Sequence, residues 1–180
     1  MSEAGYEFTI VPPDIDESTF AAEQAEPVEY AKELALAKAK SVAQKHPDSI
    51  VIGADTIVDF QGRIIGKAAD AKQAEQIIRK LFIAPHKVIT GIAIVRLSDN
   101  TELLRSDSTT VYPRKMKAGQ IAKHIKGGSW RDKAGAYAIK ETGDEFVERI
   151  DGSLTNVMGM PMELIESLLA ELHIPVKKKQ

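Results

Sequence analysis

An aspartate and a lysine interrupt the apolar segment at residues 50–70, which reads IVIGADTIVDFQGRIIGKAAD. Asp55 stands where a strand should be most buried, and Lys67 follows it twelve residues later. Burying a charge is costly unless the charge is paired, hydrogen-bonded or bound to a metal. The pattern therefore predicts either a structural ion pair or a reactive site, and the two residues alone leave both possibilities open.

The segment has the pattern of a β-hairpin, with strands at 50–60 and 63–67 on either side of a Gln-Gly turn. Extending this register places Thr56 opposite Lys67 and leaves Asp55 within diagonal reach of the lysine. The hairpin thus predicts that the carboxylate and the ammonium meet at one of its ends.

A third charged residue lies on a helix predicted at residues 27–44. Leu34, Lys38 and Val42 are spaced four residues apart, so they share the helix face that should contact the core. A lone lysine there is explained by an apolar stem that packs while the ammonium reaches water. If the ammonium instead joins the charged end of the hairpin, the clustered cations favour an anionic ligand.

The remaining sequence alternates strand and helix patterns and contains no repeat or linker. Strands are predicted at 7–11, 87–97, 102–112, 134–140 and 145–150, and helices at 71–82, 115–126 and 161–173. Hairpins combined with crossover helices predict an α/β domain with a mixed sheet rather than a regular βαβ series. We expect residues 1–180 to form a single domain, since a chain of this length can bury one substantial core.

Composition excludes several classes of protein. The formal net charge of -2 gives no general electrostatic attraction for nucleic acid, so we expect no nucleic-acid partner. The chain has no cysteine, which excludes disulfides and thiolate metal sites. Its acidic start, MSEAGYEF, lacks the pattern of a signal peptide, and no apolar run approaches membrane-spanning length. These features predict a cytoplasmic protein without a membrane partner.

Two glycine-containing segments follow, DKAGAYAIK at 132–140 and IDGSLTNVMGMP at 150–161. Glycine between strand-like segments suits close approach of the backbone to a ligand, although it is more often turn chemistry. Together with IVIGADTIV, GRIIGKAAD and HKVITG, in this order and at matching spacing, these segments closely resemble the Maf-like nucleoside triphosphate pyrophosphatases. The resemblance extends from about residue 8 to residue 174, nearly the whole chain.

The resemblance implies a fold, an activity and a set of site residues. The fold would be an elongated α/β structure of the Maf and inosine-triphosphatase kind, with a mixed twisted sheet, flanking helices and two lobes around a cleft. The activity would be hydrolysis of nucleoside triphosphates, dTTP and UTP above all, to the monophosphate and pyrophosphate by a homodimer with a divalent metal. Asp55 would be the catalytic base, Thr56 and Lys67 would belong to the same pocket, and Lys38 and Glu17 would match the helix lysine and the acidic residue of that family.

The chemistry of these residue types agrees with that activity. Attack of water on the α-phosphorus needs a base, and lysines with Mg²⁺ can stabilise charge on the phosphoryl oxygens. Mg²⁺ takes one or two protein carboxylates plus substrate phosphates, so Glu17 and Asp55 are the candidate ligands. Because one carboxylate cannot be both a tight ligand and a free base, the role of Asp55 stays open at this point.

Three departures from the family pattern affect these expectations. The family opens with a segment similar to SxSPRR, and this chain starts after that point, so we expect an unpaired strand edge, marginal stability and weak activity. The motif LSGxxH is replaced by LFIAPH at residues 81–86, and the glutamine that often follows AGAYxI is Lys140. An ammonium only donates hydrogen bonds, whereas an amide also accepts them, so we expect Lys140 in the substrate site to loosen base selectivity.

Two alternatives to the dTTP/UTP enzyme remain at the level of the sequence. One is a pyrophosphatase for other or modified nucleotides. The other is a nucleotide-binding regulator without turnover. Release of pyrophosphate from a panel of nucleotides separates the three.

Overall fold

Five strands form one sheet in the computed structural model, which describes residues 1, 5–20, 22, 25–137, 139 and 146–173. The strands are β1 (Val51–Phe60), β2 (Arg63–Ile65), β3 (His86–Arg96), β4 (Thr101–Pro113) and β5 (Val147–Asp151), in the spatial order β2-β1-β3-β4-β5. Helices flank the sheet: α1 (Pro27–Ala43), α2 (Ala71–Leu81), α3 (Ala118–Gly127), α4 (Leu154–Val157) and α5 (Met162–Glu171). The α/β class is confirmed.

Every strand pair in the described sheet is antiparallel. The sheet of the described residues is therefore antiparallel and not the mixed sheet that the crossover helices had predicted. Strands β2 and β3 run in the same direction, because both are antiparallel to β1, but β1 lies between them. The crossover through α2 thus joins strands that are parallel without being hydrogen-bonded to each other.

The hairpin of β1 and β2 has the predicted turn and register. Gln61 and Gly62 both have positive φ, 56° and 77°, as a tight two-residue hairpin turn requires. Pairing stops at Val58 with Ile65, however, and Lys67 forms a separate bridge with Ala134. The predicted pairing of Lys67 with Thr56 is therefore wrong, because the chain leaves the hairpin before reaching that position.

Helix α1 lies directly on β1 and β3. A Cβ atom at Gly53 would overlap the carbonyl oxygen of Ala35, and one at Gly91 would overlap that of Ala31. The two glycines thus allow the helix backbone to approach the sheet more closely than any larger side chain would permit. Helix α1 therefore covers this face of the sheet.

The opposite face of the sheet is covered by the other helices. Ile92 and Ile94 of β3 pack against Ile165 and Leu168 of α5. Further along, Val58 of β1 belongs to a larger apolar cluster with residues of α2 and α3.

Four helices were predicted from the sequence, and all are confirmed within three residues at each end: 27–44, 71–82, 115–126 and 161–173. The short helix α4 was not predicted. No helix in the described ranges is long and apolar enough to cross a lipid bilayer.

The predicted strand at residues 7–11 is not formed. Phe8 and Ile10 are 46% and 81% exposed, and no strand of the described sheet pairs with them. Residues 51–57 of β1 pair with β3 alone among the strand pairs that the structure describes, and the unpaired edge expected from the family pattern stays a prediction. For the strand predicted at 134–140, the structure gives only the bridge at Ala134 among the described residues, and residues 138 and 140 lie outside the described ranges.

Candidate active site

Lys38 of α1 joins two carboxylates. Its Nζ atom lies 2.6 Å from Oδ1 of Asp55 and 2.8 Å from Oε1 of Glu17, which belongs to a 3₁₀ turn at Glu17–Thr19. The side chains of Asp55 and Lys38 are only 11% and 17% exposed, whereas Glu17 is 47% exposed. The lysine that interrupts the apolar face of α1 is therefore not a snorkelling residue, because its ammonium points at the buried aspartate.

Packing of α1 explains why this pair forms. Asp55 lies opposite Gly91 in the β1–β3 register, at the place where the helix comes closest to the sheet. Ala35 and Ala39 flank the lysine on the helix and are fully buried against the same strands. Small residues on both surfaces thus bring the Lys38 backbone close enough for its side chain to reach Asp55.

The electrostatics of the three groups are coupled. Burial raises the pKa of Asp55 above its ordinary value, and this outweighs the lowering by the hydrogen bond from Lys38 and by the charge of Lys67. Burial by itself would lower the pKa of Lys38, but its hydrogen bonds to Asp55 and Glu17 raise it. The hydrogen bond from Lys38 lowers the pKa of Glu17. The three groups therefore form one hydrogen-bonded network in which the Lys38 ammonium lies between the carboxyl groups of Asp55 and Glu17.

A cavity of about 460 Å³ opens beside this ionic group. Asp55, Thr56 and Lys67 all line it, as do Asp132 and Lys133 from the segment that bridges to the hairpin. The structure thus brings together the hairpin residues that the sequence predicted would converge. Lys67 arrives through its bridge with Ala134 and not through the hairpin register.

The Thr56 side chain lies on the face of β1 opposite to that of Asp55, and it lines the same cavity. Asp55 points towards α1, whereas the hydroxyl of Thr56 lies 2.9 Å from that of Thr90, its cross-strand partner on β3. Val58, Tyr137 and Val157 line the cavity on this side. Because consecutive residues of a strand face opposite sides of the sheet, a cavity lined by both Asp55 and Thr56 has a charged part and a largely apolar part.

A buried asparagine fixes the wall around Thr56. Asn156 of α4 is fully buried, and its Nδ2 atom donates to the Val88 carbonyl at 3.0 Å and to Oγ1 of Thr109 at 2.9 Å. The backbone carbonyl of Asn156 accepts a hydrogen bond from Oγ1 of Thr90 at 3.1 Å. Gly159 follows, and a Cβ there would come within 3.2 Å of Oγ1 of Thr56. The turn after α4 is thereby held against the floor of the cavity.

A histidine and a tyrosine support the apolar part. Oη of Tyr137 lies 2.6 Å from Nε2 of His86, and both side chains are buried. Burial lowers the pKa of His86 to about 4, so the imidazole is neutral at physiological pH. The hydrogen bond therefore positions the tyrosine ring without placing a charge behind it.

Four residues of the site were not predicted from the sequence, although each lies in one of the family motifs: His86, Thr90, Tyr137 and Asn156. A buried polar residue inside an apolar segment, such as Thr90 in HKVITG, was the available signal. Lys140, predicted to contact substrate, lies outside the described residues.

The carboxylates of the site could supply only some of the oxygen ligands that a hard metal ion needs. Carboxylate oxygens are what Mg²⁺ prefers, and Glu17 and Asp55 stand on either side of the same ammonium. Within the described ranges, however, no group of three or more His, Cys, Asp or Glu side chains could hold a metal ion. The residues therefore fit a metal that takes one or two protein carboxylates and its remaining oxygens from a ligand.

Comparison with known proteins agrees with this architecture. The family described as Maf-like protein matches residues 1–172. A dTTP/UTP pyrophosphatase of Elusimicrobium minutum is 40% identical over 171 residues, which cover 95% of this chain and 90% of that protein. Proteins of the same name from Citrifermentans bemidjiense and Aquifex aeolicus are 38% and 36% identical, covering 93% and 97% of this chain and 86% and 89% of theirs. The chain belongs to the Maf-like protein family.

Proposed function

We propose that the protein hydrolyses nucleoside triphosphates, dTTP and UTP in particular, to the monophosphate and pyrophosphate. The observation that carries this proposal is the partly buried Asp55–Lys38 pair, whose aspartate lines a cavity that Lys67 also lines. The names of the three relatives, each a dTTP/UTP pyrophosphatase, support the choice of substrate.

In this proposal Asp55 is the general base. Its Oδ1 atom accepts the hydrogen bond from Lys38, and within the described chain Oδ2 accepts none, so one oxygen is available for a water molecule. Its raised pKa also improves it as a base, because a carboxylate with a higher pKa takes a proton more readily. The water, deprotonated by Asp55, would attack the α-phosphorus and release pyrophosphate.

Lys38 and Lys67 would stabilise the phosphoryl oxygens. Both carry a charge next to the base, and such preorganised charges act more strongly in a partly buried site than in water. With Asp55 kept as the base, Glu17 would be the carboxylate ligand of a divalent cation, Mg²⁺ by preference, whose other oxygens would come from the triphosphate. When bound, such a cation would offset the negative charge of the triphosphate.

A nucleotide panel tests the function. The purified chain is incubated with Mg²⁺ and each of dTTP, UTP, CTP, dCTP, GTP and ATP, and pyrophosphate and orthophosphate are measured separately. We expect pyrophosphate without orthophosphate, and fastest release from dTTP and UTP. Preferred release from other or modified nucleotides would favour the broader pyrophosphatase, and tight binding without any release would favour the regulator.

The homodimer and the cytoplasmic location remain predictions. Light scattering on the purified protein gives its mass in solution, and a single chain has a mass of 19.7 kDa. A species of twice that mass is expected.

A further inference from the structure

The segment at residues 132–136 has a strained backbone. Asp132 and Ala136 have φ of 60° and 59°, in the left-handed region that a residue with a Cβ atom disfavours, and Gly135 between them has φ of 72°. Such a conformation persists only where the surrounding structure holds the chain in it. The segment therefore needs an anchor.

A buried histidine of α3 supplies this anchor. Nε2 of His124 lies 2.8 Å from the backbone carbonyl oxygen of Ala136, and because a carbonyl oxygen can only accept, the histidine is the donor. His124 is 6% exposed, its Nδ1 atom lies 3.3 Å from Oγ of Ser129, and Phe146 packs against its ring at 4.9 Å. The donor thus comes from a ring that its own neighbours hold in place.

The same segment holds Lys67 in the cavity. Strand β2 ends before Lys67, which is bridged instead to Ala134, and the N–H of Gly135 donates to the Gly66 carbonyl at 3.2 Å. Lys67 and the segment both line the cavity. The position of the Lys67 side chain therefore depends on where the segment lies, and His124 holds the segment one residue after these contacts.

We infer that His124 is a positioning residue for the reaction, which acts through the Ala136 carbonyl to keep the Lys67 ammonium in the cavity. This rests on the proposed function, in which Lys67 stabilises phosphoryl oxygens. His124 does not line the cavity itself, so it acts only through the segment. The hydrogen bond between His86 of β3 and Tyr137 holds the following residue of the chain, so the end of the segment is fastened from two sides of the molecule.

The experiment tests whether His124 acts through Lys67. The values of kcat and KM for UTP are measured for wild type, His124→Met, His124→Gln, Lys67→Met and the double variant of His124→Met with Lys67→Met, well below the thermal midpoint of each protein. Methionine fills the space of the imidazole without a donor, whereas the amide nitrogen of glutamine can donate to the same carbonyl. Lys123→Met is the matched control, because Lys123 is the exposed neighbour of His124 on α3. Binding of the uridine α,β-imido triphosphate to the same proteins is measured by calorimetry.

We expect His124→Met to lower kcat/KM roughly tenfold or more, because a displacement of about 1 Å in a group that contacts substrate can cost roughly 100-fold in rate. His124→Gln should recover most of this loss, and Lys123→Met should cause none. In the Lys67→Met background, the same change of His124 should lower kcat/KM by less than about twofold, since two residues that act through one group are not additive.

A purely structural role of His124 would give a different pattern. A loss by the same factor in both backgrounds would overturn the inference, because His124 would then act independently of Lys67. Should the double variant be too slow to measure, the change in Kd of the imido analogue caused by His124→Met in each background decides in the same way. Should His124→Met fail to fold, His124→Phe takes its place, because it keeps a ring against Phe146 and removes the donor.

The result is separable from failure of the proposed function. If wild type releases pyrophosphate from UTP but the two losses are equal, the function stands and the inference falls. If the imido analogue binds but UTP is not hydrolysed, the proposed function falls, and the calorimetric comparison still decides the role of His124. If there is neither turnover nor binding, both fall.

Discussion

Asp55 is a residue at which burial and pairing act in opposite directions. Burial disfavours its charged form, and the hydrogen bond from Lys38 favours it, with burial the larger effect. Such a compromise has little structural benefit, since a well-packed apolar pair would often be as stable as a buried ion pair. The proposed role in catalysis would explain why a charged pair stands there.

The first prediction removes the charge of Asp55 without changing its shape. Asp55→Asn should keep the fold and lower kcat by at least roughly 100-fold, the low end of the range for a lost general base. Steady-state kinetics and circular dichroism check the two parts. Asp48→Asn is the control, because Asp48 is exposed and lies in the connection between α1 and β1. Turnover close to that of wild type in a folded Asp55→Asn protein would remove Asp55 from the catalytic role.

The second prediction concerns pH. The base acts in its ionised form, so activity should fall as the pH drops through the raised pKa of Asp55, above the range of an ordinary aspartate. Lys38→Met removes the hydrogen bond that lowers this pKa, and the acidic limb of kcat/KM should therefore move to higher pH. The position of the limb is compared, not its height, because Lys38 is also proposed to contact phosphate.

The control for the pH profile is Lys40→Met. Lys40 is on the same helix but pairs with Glu102 at the surface, where its side chain is 47% exposed. Its replacement should leave the acidic limb where it is. An unmoved limb in Lys38→Met, or a shift to lower pH, would mean that Asp55 does not govern it.

Among the secondary-structure elements, α1 decides whether the site exists. Its alanine-lined face meets Gly53 and Gly91 of the sheet, and this contact sets the distance between Lys38 and Asp55. Without that close approach, the Lys38 side chain would not reach Asp55 from its position on the helix. The geometry of the Lys38–Asp55 pair is thus a consequence of helix-on-sheet packing.

The third prediction tests this packing. Gly91→Ala places a Cβ on the backbone carbonyl of Ala31, which cannot move aside as a flexible side chain could. We expect a loss of about 1–3 kcal/mol in the free energy of unfolding, typical of an overpacked contact, and a fall in kcat as Lys38 is displaced. Urea denaturation and steady-state kinetics measure the two effects.

Gly119→Ala in α3 is the matched control. Nothing lies within 4 Å of a Cβ at that position, and alanine is favoured over glycine in helices by roughly 0.5–1 kcal/mol. This variant should be as stable as wild type or slightly more so. Equal stability of Gly91→Ala and wild type would show that α1 can shift at little cost.

At the scale of the whole molecule, the apolar clusters of the described residues share one sheet. Strand β1 contributes Val58 to the cluster with α2 and α3, Ala54 to the contacts with α5, and Ile57 to the contacts with α1. Because the same strand carries all three, loss of one cluster should weaken the others. This is the physical reason to expect a single folding unit.

The fourth prediction is a single cooperative unfolding transition. Trp130 is the sole tryptophan, is 5% exposed and belongs to the cluster around α2 and α3, so its fluorescence reports on one end of the molecule. Far-ultraviolet circular dichroism reports on all helices and strands. We expect the two signals to give the same urea midpoint, as two-state unfolding requires. Midpoints that differ beyond error would indicate two units that unfold separately.

The sequence by itself determined the local features. The two-residue turn, the hairpin register and the boundaries of the four longer helices follow from residue types and periodicity, which act over a few neighbouring residues. Asp55, Lys38 and Lys67 were recognisable as anomalies, because charges at apolar positions require an explanation. The family motifs also lie in the sequence, and the resemblance to the Maf-like family is confirmed.

Only the tertiary structure decided how these residues meet. Lys67 reaches the cavity through a bridge to Ala134, a residue 67 positions further along the chain, which no hairpin register could predict. The hydrogen bonds that join Thr56 of β1, Thr90 of β3 and Asn156 of α4 form only because packing brings these separate elements together. Hydrogen-bond direction and charge pairing depend on distances in space, and these are fixed only when the close contact of α1 with the sheet and the turn after α4 are both in place.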